Sequence, residues 1–88
     1  MLSLIEIRNI CLIDNDNCIL YQKNYNAECE LVDESTRKKF IFNFIFTIEE
    51  TPINFNFYIR QIFNTNFQIH DIKNILIPEL EKWHNTQL

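Results

Sequence analysis

Residues 39–48 read KFIFNFIFTI. Phe recurs at every second position from Phe40 to Phe46, and Ile48 continues the series, whereas mixed polar and aliphatic residues stand between them. Successive side chains of a β-strand point to opposite faces, so this pattern predicts a strand with one aromatic face. A row of exposed Phe side chains would promote aggregation. We therefore expect C-terminal helices to cover the Phe face.

The chain before this stretch contains three further strand patterns separated by turn residues. The predicted strands are residues 2–13, 18–23 and 27–32. Residues 14–17 and 24–26, which are rich in Asn and Asp, supply the predicted turns. Asn and Asp tolerate positive φ, and this chain contains no Gly to take that role. The first hairpin turn would place Cys18 opposite Ile13 and Cys11 opposite Leu20.

Residues 51–63 carry two conflicting patterns. Thr51-Pro52 is typical of a helix start, because Thr caps the first turn and Pro fits its first position. Apolar residues then recur at helical spacing as far as Phe63. From Ile53 to Ile59 the same stretch also alternates as a strand does, with Asn at the intervening positions 54 and 56. We favour the helix, because the cap and the later residues agree with it.

A second helix is predicted after residue 70. Asp71 is its predicted N-cap, and apolar residues at helical spacing run from Ile72 to Trp83. Pro78 removes one backbone donor and is expected to kink this helix or to restart it. Residues 84–88 are expected to fray.

Together these patterns predict one α+β domain over residues 1–88. Residues 1–50 form an antiparallel sheet of about four strands, and residues 51–88 form two helical segments that cover one face of it. Of the 88 residues, 47% are hydrophobic, which is enough material for a small core and too much for a disordered chain.

The composition favours a cytoplasmic protein without a membrane segment. No apolar run approaches the ~18 residues that a membrane span needs, and no basic segment precedes an apolar one as in a secretory signal. Three Cys residues are an odd number, which favours reduced thiols.

The motifs favour no enzyme, no metal site and no cofactor. An EF-hand loop counted from Asp14 would have Cys18, Ile19 and Tyr25 at its fifth, sixth and twelfth positions, and none of them fits. The Cys and His residues lie too far apart for the usual zinc spacing. Gly-rich phosphate loops are excluded, because the chain has no Gly.

The net charge of −4 argues against direct nucleic-acid binding and points to a partner protein with a basic surface. The candidate partner-binding residues are Asp14, Asp16, Glu28, Glu30, Asp33 and Glu34. Small size, acidic charge, and an Ile- and Asn-rich composition typical of AT-rich genomes suggest a non-enzymatic inhibitor. Such a protein would be a toxin-immunity protein, or a phage-encoded inhibitor of a host nuclease or defence complex. The alternative is an assembly module that dimerises through a strand edge or its aromatic face.

Overall fold

The structure, a computed structural model, describes residues 1–16 and 21–87, although not the side chains of residues 15 and 16. The described elements are β1 (Leu2–Asp16), β2 (Gln22–Asp33), β3 (Lys39–Glu50), β4 (Phe55–Ile62) and α1 (Ile69–Thr86). The strands form one antiparallel sheet in the order β1-β2-β3-β4. The predicted α+β class and the four-stranded antiparallel sheet are confirmed.

The predicted first helix is wrong, because residues 55–62 form strand β4. The alternation from Phe55 to Ile59 is the pattern that the chain follows, with Phe57 paired to Ile48 of β3. The Thr51 backbone N–H donates to the Asn54 carbonyl at 2.8 Å, and the Asn54 N–H donates to the Thr51 hydroxyl at 3.1 Å. Thr51 therefore stabilises the turn of a β3–β4 hairpin instead of a helix start, and α1 is the one helix among the described residues.

The predicted turn at residues 24–26 is also wrong, because β2 runs through it and joins residues 22–23 to the predicted strand 27–32. Residues 18–20 of the predicted strand 18–23 lie outside the described residues. Asn24 and Asn26 pair with Thr47 and Ile45 in the middle of the sheet. The Asn24 side-chain amide forms hydrogen bonds with residues of both neighbouring strands. Its polar groups are therefore paired in the strand, and it does not need a turn to satisfy them. Strand β1 runs through Asp16, and the rest of the predicted turn at 14–17 lies outside the described residues.

The predicted register of the first hairpin is wrong as well. Cys11 pairs with Asn26 of β2 and not with residue 20, because β1 continues into the predicted turn and its residue Asp16 pairs with Gln22. The pairing of Cys18 lies outside the described residues.

Strand β1 is an edge strand with an irregular backbone. Its pairing with β2 shifts register in three places, between Leu4 and Glu6, between Arg8 and Cys11, and between Leu12 and Asp14. Asn9, within the second shift, has φ 56°, in the left-handed region that Asn tolerates better than most residues. These irregularities are typical of β-bulges, which disfavour the addition of a further strand.

The core lies between α1 and the inner face of the sheet, and it confirms that a helix covers the Phe face. Its fully buried members are Ala27, Cys29 and Leu31 from β2, Phe42, Phe44, Phe46 and Ile48 from β3, and Ile72, Leu76 and Leu80 from α1. Phe46 stacks on Tyr25 with ring centroids 5.1 Å apart, and the edge of Trp83 meets it at 6.1 Å.

Helix α1 is continuous through Pro78, so the expected restart does not occur. Its N-cap is Gln68, and Asp71 lies one turn inside, where its carboxylate accepts the Gln68 N–H at 3.4 Å. The prediction of Asp71 as the cap is therefore wrong by three residues. The expected fraying from residue 84 is also wrong, since the helix continues to Thr86 and His84 is buried.

Within the described part of the chain, no helix combines the length and the apolar character that a membrane crossing requires.

Candidate functional site: the open face of the sheet

The sheet has an inner face covered by α1 and an outer face that no described element covers; we call the outer one the open face. Cross-strand partners lie on the same side of a sheet, so the register identifies its side chains. The described ones are Glu6, Arg8, Cys11 and Asp14 of β1; Gln22, Asn24, Asn26, Glu28 and Glu30 of β2; Ile41, Asn43, Ile45, Thr47 and Glu49 of β3; and Asn56, Tyr58, Arg60 and Gln61 of β4.

Arg8 lies at the centre of the acidic half of the open face. Its guanidinium donates to Glu30 at 2.9 Å and to Glu6 at 2.7 Å, and its Nε donates to Glu28. The register makes this possible, because Arg8 stands opposite Glu28 and Glu6 stands opposite Glu30. The hydrogen bonds to Glu30, Glu6 and Glu28 raise the pKa of Arg8, which therefore stays charged.

The Arg8 cluster changes what the predicted acidic residues can do. Only 29% of the Glu28 side chain and 15% of the Glu30 side chain are exposed, so the two carboxylates are held in place and not freely solvated. One guanidinium among three carboxylates still leaves a local charge of −2. The cluster is therefore acidic and fixed in position, which lowers the entropy cost of meeting a cationic partner.

The remaining predicted residues do not join this cluster. Asp14 lies on the open face beside Asn24, whose amide donates to it at 3.3 Å. Asn24, the residue paired with Asp14, lies four residues before Glu28 on β2, a distance of about 13 Å along the strand. The side chain of Asp16 lies outside the described part of the chain.

Asp33 and Glu34 lie at the opposite end of β2, around the β2–β3 turn. The Ser35 hydroxyl and N–H both donate to Asp33, at 2.7 and 3.0 Å, and these bonds hold the pKa of Asp33 below its usual value. Asp33 also lies 3.6 Å from the N-terminal ammonium group, while Glu34 pairs with Arg37 at 3.8 Å. Both carboxylates thus have local structural partners.

A hydrogen-bonded network crosses the centre of the open face. The Thr47 hydroxyl, which is completely buried, donates to the Asn24 amide oxygen at 2.5 Å and accepts from Arg60 Nε at 3.1 Å. The Arg60 guanidinium lies over the Tyr58 ring, 5.2 Å from its centroid. Glu49 accepts from Gln22 at 3.3 Å and from the Tyr58 hydroxyl at 3.4 Å. This network gives the open face a polar surface of defined conformation.

Apolar side chains interrupt this polar surface on β3 and β4. Ile41 is 54% exposed and Tyr58 is 38% exposed, and Ile45, also on β3, is half-buried. Protein interfaces commonly combine a few such aliphatic and aromatic anchors with a polar surround. The sequence pattern did assign Ile41 and Ile45 to the face opposite the Phe residues, but it assigned Tyr58 to a helix.

Sequence reasoning gave no functional role to Glu6 or Arg8. Both lie within the predicted strand 2–13, and only the β1–β2 register shows that they meet Glu28 and Glu30. Because β1 contains three register shifts, a simple hairpin count from the turn cannot recover that pairing.

Of the described Cys and His residues, only the exposed Cys11 lies on the open face, where it pairs with Asn26. Cys29 is buried in the core, and burial raises the pKa of its thiol to about 12. His70 is exposed and contacts Asp71 at 3.1 Å. Among the side chains that the structure describes, no three His, Cys, Asp or Glu groups lie close enough to hold a metal ion.

The open face thus combines an acidic cluster, a partly buried hydrogen-bond network and three apolar side chains. Comparison with known proteins finds no family model, no curated protein and no solved structure that matches this chain.

Proposed function

We propose that this protein is a non-enzymatic binding protein that neutralises a larger protein by docking its open face on a basic surface. One observation carries the proposal: the described open face holds five carboxylates and two guanidinium groups. The carboxylates are Glu6, Asp14, Glu28, Glu30 and Glu49, and the guanidinium groups are Arg8 and Arg60. These seven groups sum to a charge of −3, so most of the chain's net charge of −4 lies on one side of the sheet.

The chemistry of the open face supports a protein partner. Complementary charge speeds the encounter of two proteins and orients it, whereas buried apolar anchors supply much of the affinity. Ile41 and Tyr58 lie beside the carboxylates and can serve as such anchors. The Arg8 and Thr47 hydrogen bonds fix the surrounding side chains before binding, so less conformational entropy is lost.

A nuclease or another nucleic-acid-binding protein is the class of partner that we favour. Such proteins carry the Lys and Arg side chains that neutralise phosphates, and an acidic protein can occupy the same surface. The proposed role is that of a toxin-immunity protein or a phage-encoded inhibitor of a host nuclease or defence complex. Charge complementarity supports this proposal.

The experiment begins with affinity capture of the partner from cells that produce this chain, and continues with the purified pair. Two double variants carry the same charge change: Glu28→Gln with Glu30→Gln on the open face, and Glu79→Gln with Glu81→Gln on α1. Gln keeps an oxygen that accepts from Arg8, so the open-face variant retains its hydrogen bonds. We expect the open-face variant to weaken binding about tenfold, mainly through slower association, with a smaller difference at high salt.

The control variant decides between specific docking and general charge attraction. If both double variants lose affinity equally, the net charge of the chain and not the open face determines binding, and the proposal fails. Loss of inhibition of the partner's activity should follow loss of binding; an open-face variant that still inhibits at full strength would also contradict the proposal.

The alternative function, assembly as a homodimer, has fewer surfaces available than the sequence suggested. The aromatic face is covered, because Phe42, Phe44 and Phe46 are buried under α1. A dimer that forms through a strand edge would have to pair along β4, because the β1 edge is irregular. Sedimentation velocity of the purified chain tests this directly, and a monomer at high concentration would exclude it.

A further inference from the structure

The two edges of the sheet differ in regularity. The β1 edge changes register three times along its length, which hinders a further strand from pairing with it. On the β4 edge, Phe55–Ile59 pair with β3 without any shift, and the one irregularity lies beyond them, between Ile59 and Gln61. The outward-facing backbone groups of Phe55–Ile59 therefore form a regular template for an added strand.

A groove runs beside this regular edge, between β4 and α1. Its volume is about 420 Å³, and its lining includes the half-buried Phe57 and Ile59 of β4 and Ile69 and Ile77 of α1, together with Tyr58 of the open face. Side chains of an extended strand alternate between two faces. A strand added to β4 would thus direct every second side chain toward this groove.

The groove is positively charged, in contrast to the open face. Lys73 and Arg60 line it, Arg60 at its boundary with the open face, and no carboxylate does. Neither cation forms an ion pair with any residue in the described ranges, although Arg60 donates to Thr47. An uncompensated pair of cations beside a regular strand edge favours an occupant that carries carboxylates.

The same charges argue against a second copy of this chain as the occupant. Antiparallel β4–β4 pairing over the regular stretch would have its two-fold axis near Phe57. Lys73 and Arg60 of both copies would then line one merged groove, where like charges repel. The occupant therefore has to be a segment of another protein that brings no further cations to this groove.

We propose that β4 and this groove bind an extended acidic segment of a partner protein. The segment pairs with Phe55–Ile59 as a fifth strand, places alternate apolar side chains against Phe57, Ile59 and Ile77, and directs a carboxylate toward Lys73. This interaction goes beyond open-face docking, because it uses another edge of the molecule and the opposite charge.

The test uses the purified full chain and a display library of extended peptides of roughly ten residues, enough to match one strand. We expect enriched peptides to carry apolar residues and at least one Asp or Glu at every second position, so that both kinds of side chain face the groove. Binding of the best peptide should shift the amide NMR signals of residues 55–60 and slow their hydrogen exchange. The signals of Glu28 and Glu30 on the open face should stay unchanged.

A charge-reversal pair provides the matched control. Lys73→Glu should weaken the acidic peptide about tenfold and should select basic peptides from the same library. Lys39→Glu carries the same charge change at an exposed position distant from β4, and it should alter affinity less than about twofold.

The proposal would be overturned by no enriched peptides, by enriched peptides without carboxylates, by equal effects of the two reversals, or by a β4–β4 dimer of the free chain in solution. Shifts confined to the open face would likewise exclude β4 as the site. None of these results bears on the Glu28 and Glu30 variants, so failure here is separable from failure of the open-face proposal.

Discussion

Arg8 and Glu30 are joined across the first two strands by a hydrogen bond of 2.9 Å between guanidinium and carboxylate. Glu6 and Glu28 share the same guanidinium, so a single cation holds together three carboxylates on the open face. The contact therefore has two consequences. It stabilises the pairing of β1 with β2, and it keeps an acidic surface in a fixed geometry.

Replacing Arg8 with Gln should destabilise the fold, because three carboxylates would remain close together without their cation. Urea unfolding at low ionic strength should show a lower midpoint than for the natural chain. The difference should shrink in about 1 M NaCl, where the Debye length falls to ~3 Å. Lys82→Gln is the control, since its contact with Glu79 is 3.8 Å long and exposed; an equal loss in both variants would contradict the prediction.

Phe46 and Ile41 test the two faces of strand β3. Phe46→Ala removes a fully buried ring that stacks on Tyr25, and it should cost about 3–5 kcal/mol of unfolding free energy. Ile41→Ala removes a side chain that is 54% exposed, and we expect a change below about 1 kcal/mol. Thermal or urea unfolding followed by circular dichroism measures both. Comparable losses would mean that the open face is covered in solution.

The sequence was sufficient for β3 and insufficient for β4, and the reason is physical. In residues 39–48 the apolar residues fit only the period-two pattern of a strand. In residues 53–63 they fit both a strand and a helix pattern. Pairing with β3 decides between them, because Phe57 gains Ile48 as a partner and β4 completes the sheet. Asn24 and Asn26 show the same limit, since their apparent turn propensity is overcome by partners on neighbouring strands.

Cys29 should make the free energy of unfolding depend on pH in the alkaline range. Its pKa is raised from 9.0 to about 12 by burial, so between these values the unfolded chain releases a proton that the folded chain retains. Stability is fully present below 9.0 and is lost as the pH rises toward 12. In Cys29→Ala the unfolding free energy should fall less between about pH 8 and about pH 11. Tyr25, whose pKa burial and Glu50 also raise, contributes in both proteins and cancels in the comparison.

The same thiol should be chemically protected. On a Cys18→Ser background, a thiol reagent should label the exposed Cys11 rapidly and should label Cys29 only on unfolding. Mass spectrometry after timed labelling distinguishes the two sites. Equal rates would show that the core opens around β2 far more readily than its burial implies.

His84 is the buried residue with an unsatisfied polar atom among the described side chains. Its ring lies 4.6 Å from Phe55 and 5.9 Å from Phe57, and Nε2 is 3.7 Å from a Glu50 oxygen without a hydrogen bond. His84→Phe should therefore leave the unfolding free energy unchanged or raise it. A loss above about 1 kcal/mol, matched by Glu50→Gln, would show that the His84–Glu50 contact stabilises the helix end.

Thr47 and Asn24 give the most direct test of the network beneath the open face. Thr47→Val keeps the shape of a completely buried side chain but removes the hydroxyl that joins Asn24 to Arg60, at an expected cost of about 1–3 kcal/mol. If the two residues act through their 2.5 Å hydrogen bond, Thr47→Val should cost less when Asn24 is already Ala. A double-mutant cycle measures this coupling by urea unfolding. Strict additivity would mean that Asn24 and Thr47 stabilise the sheet independently, and that the open face is not fixed by this bond.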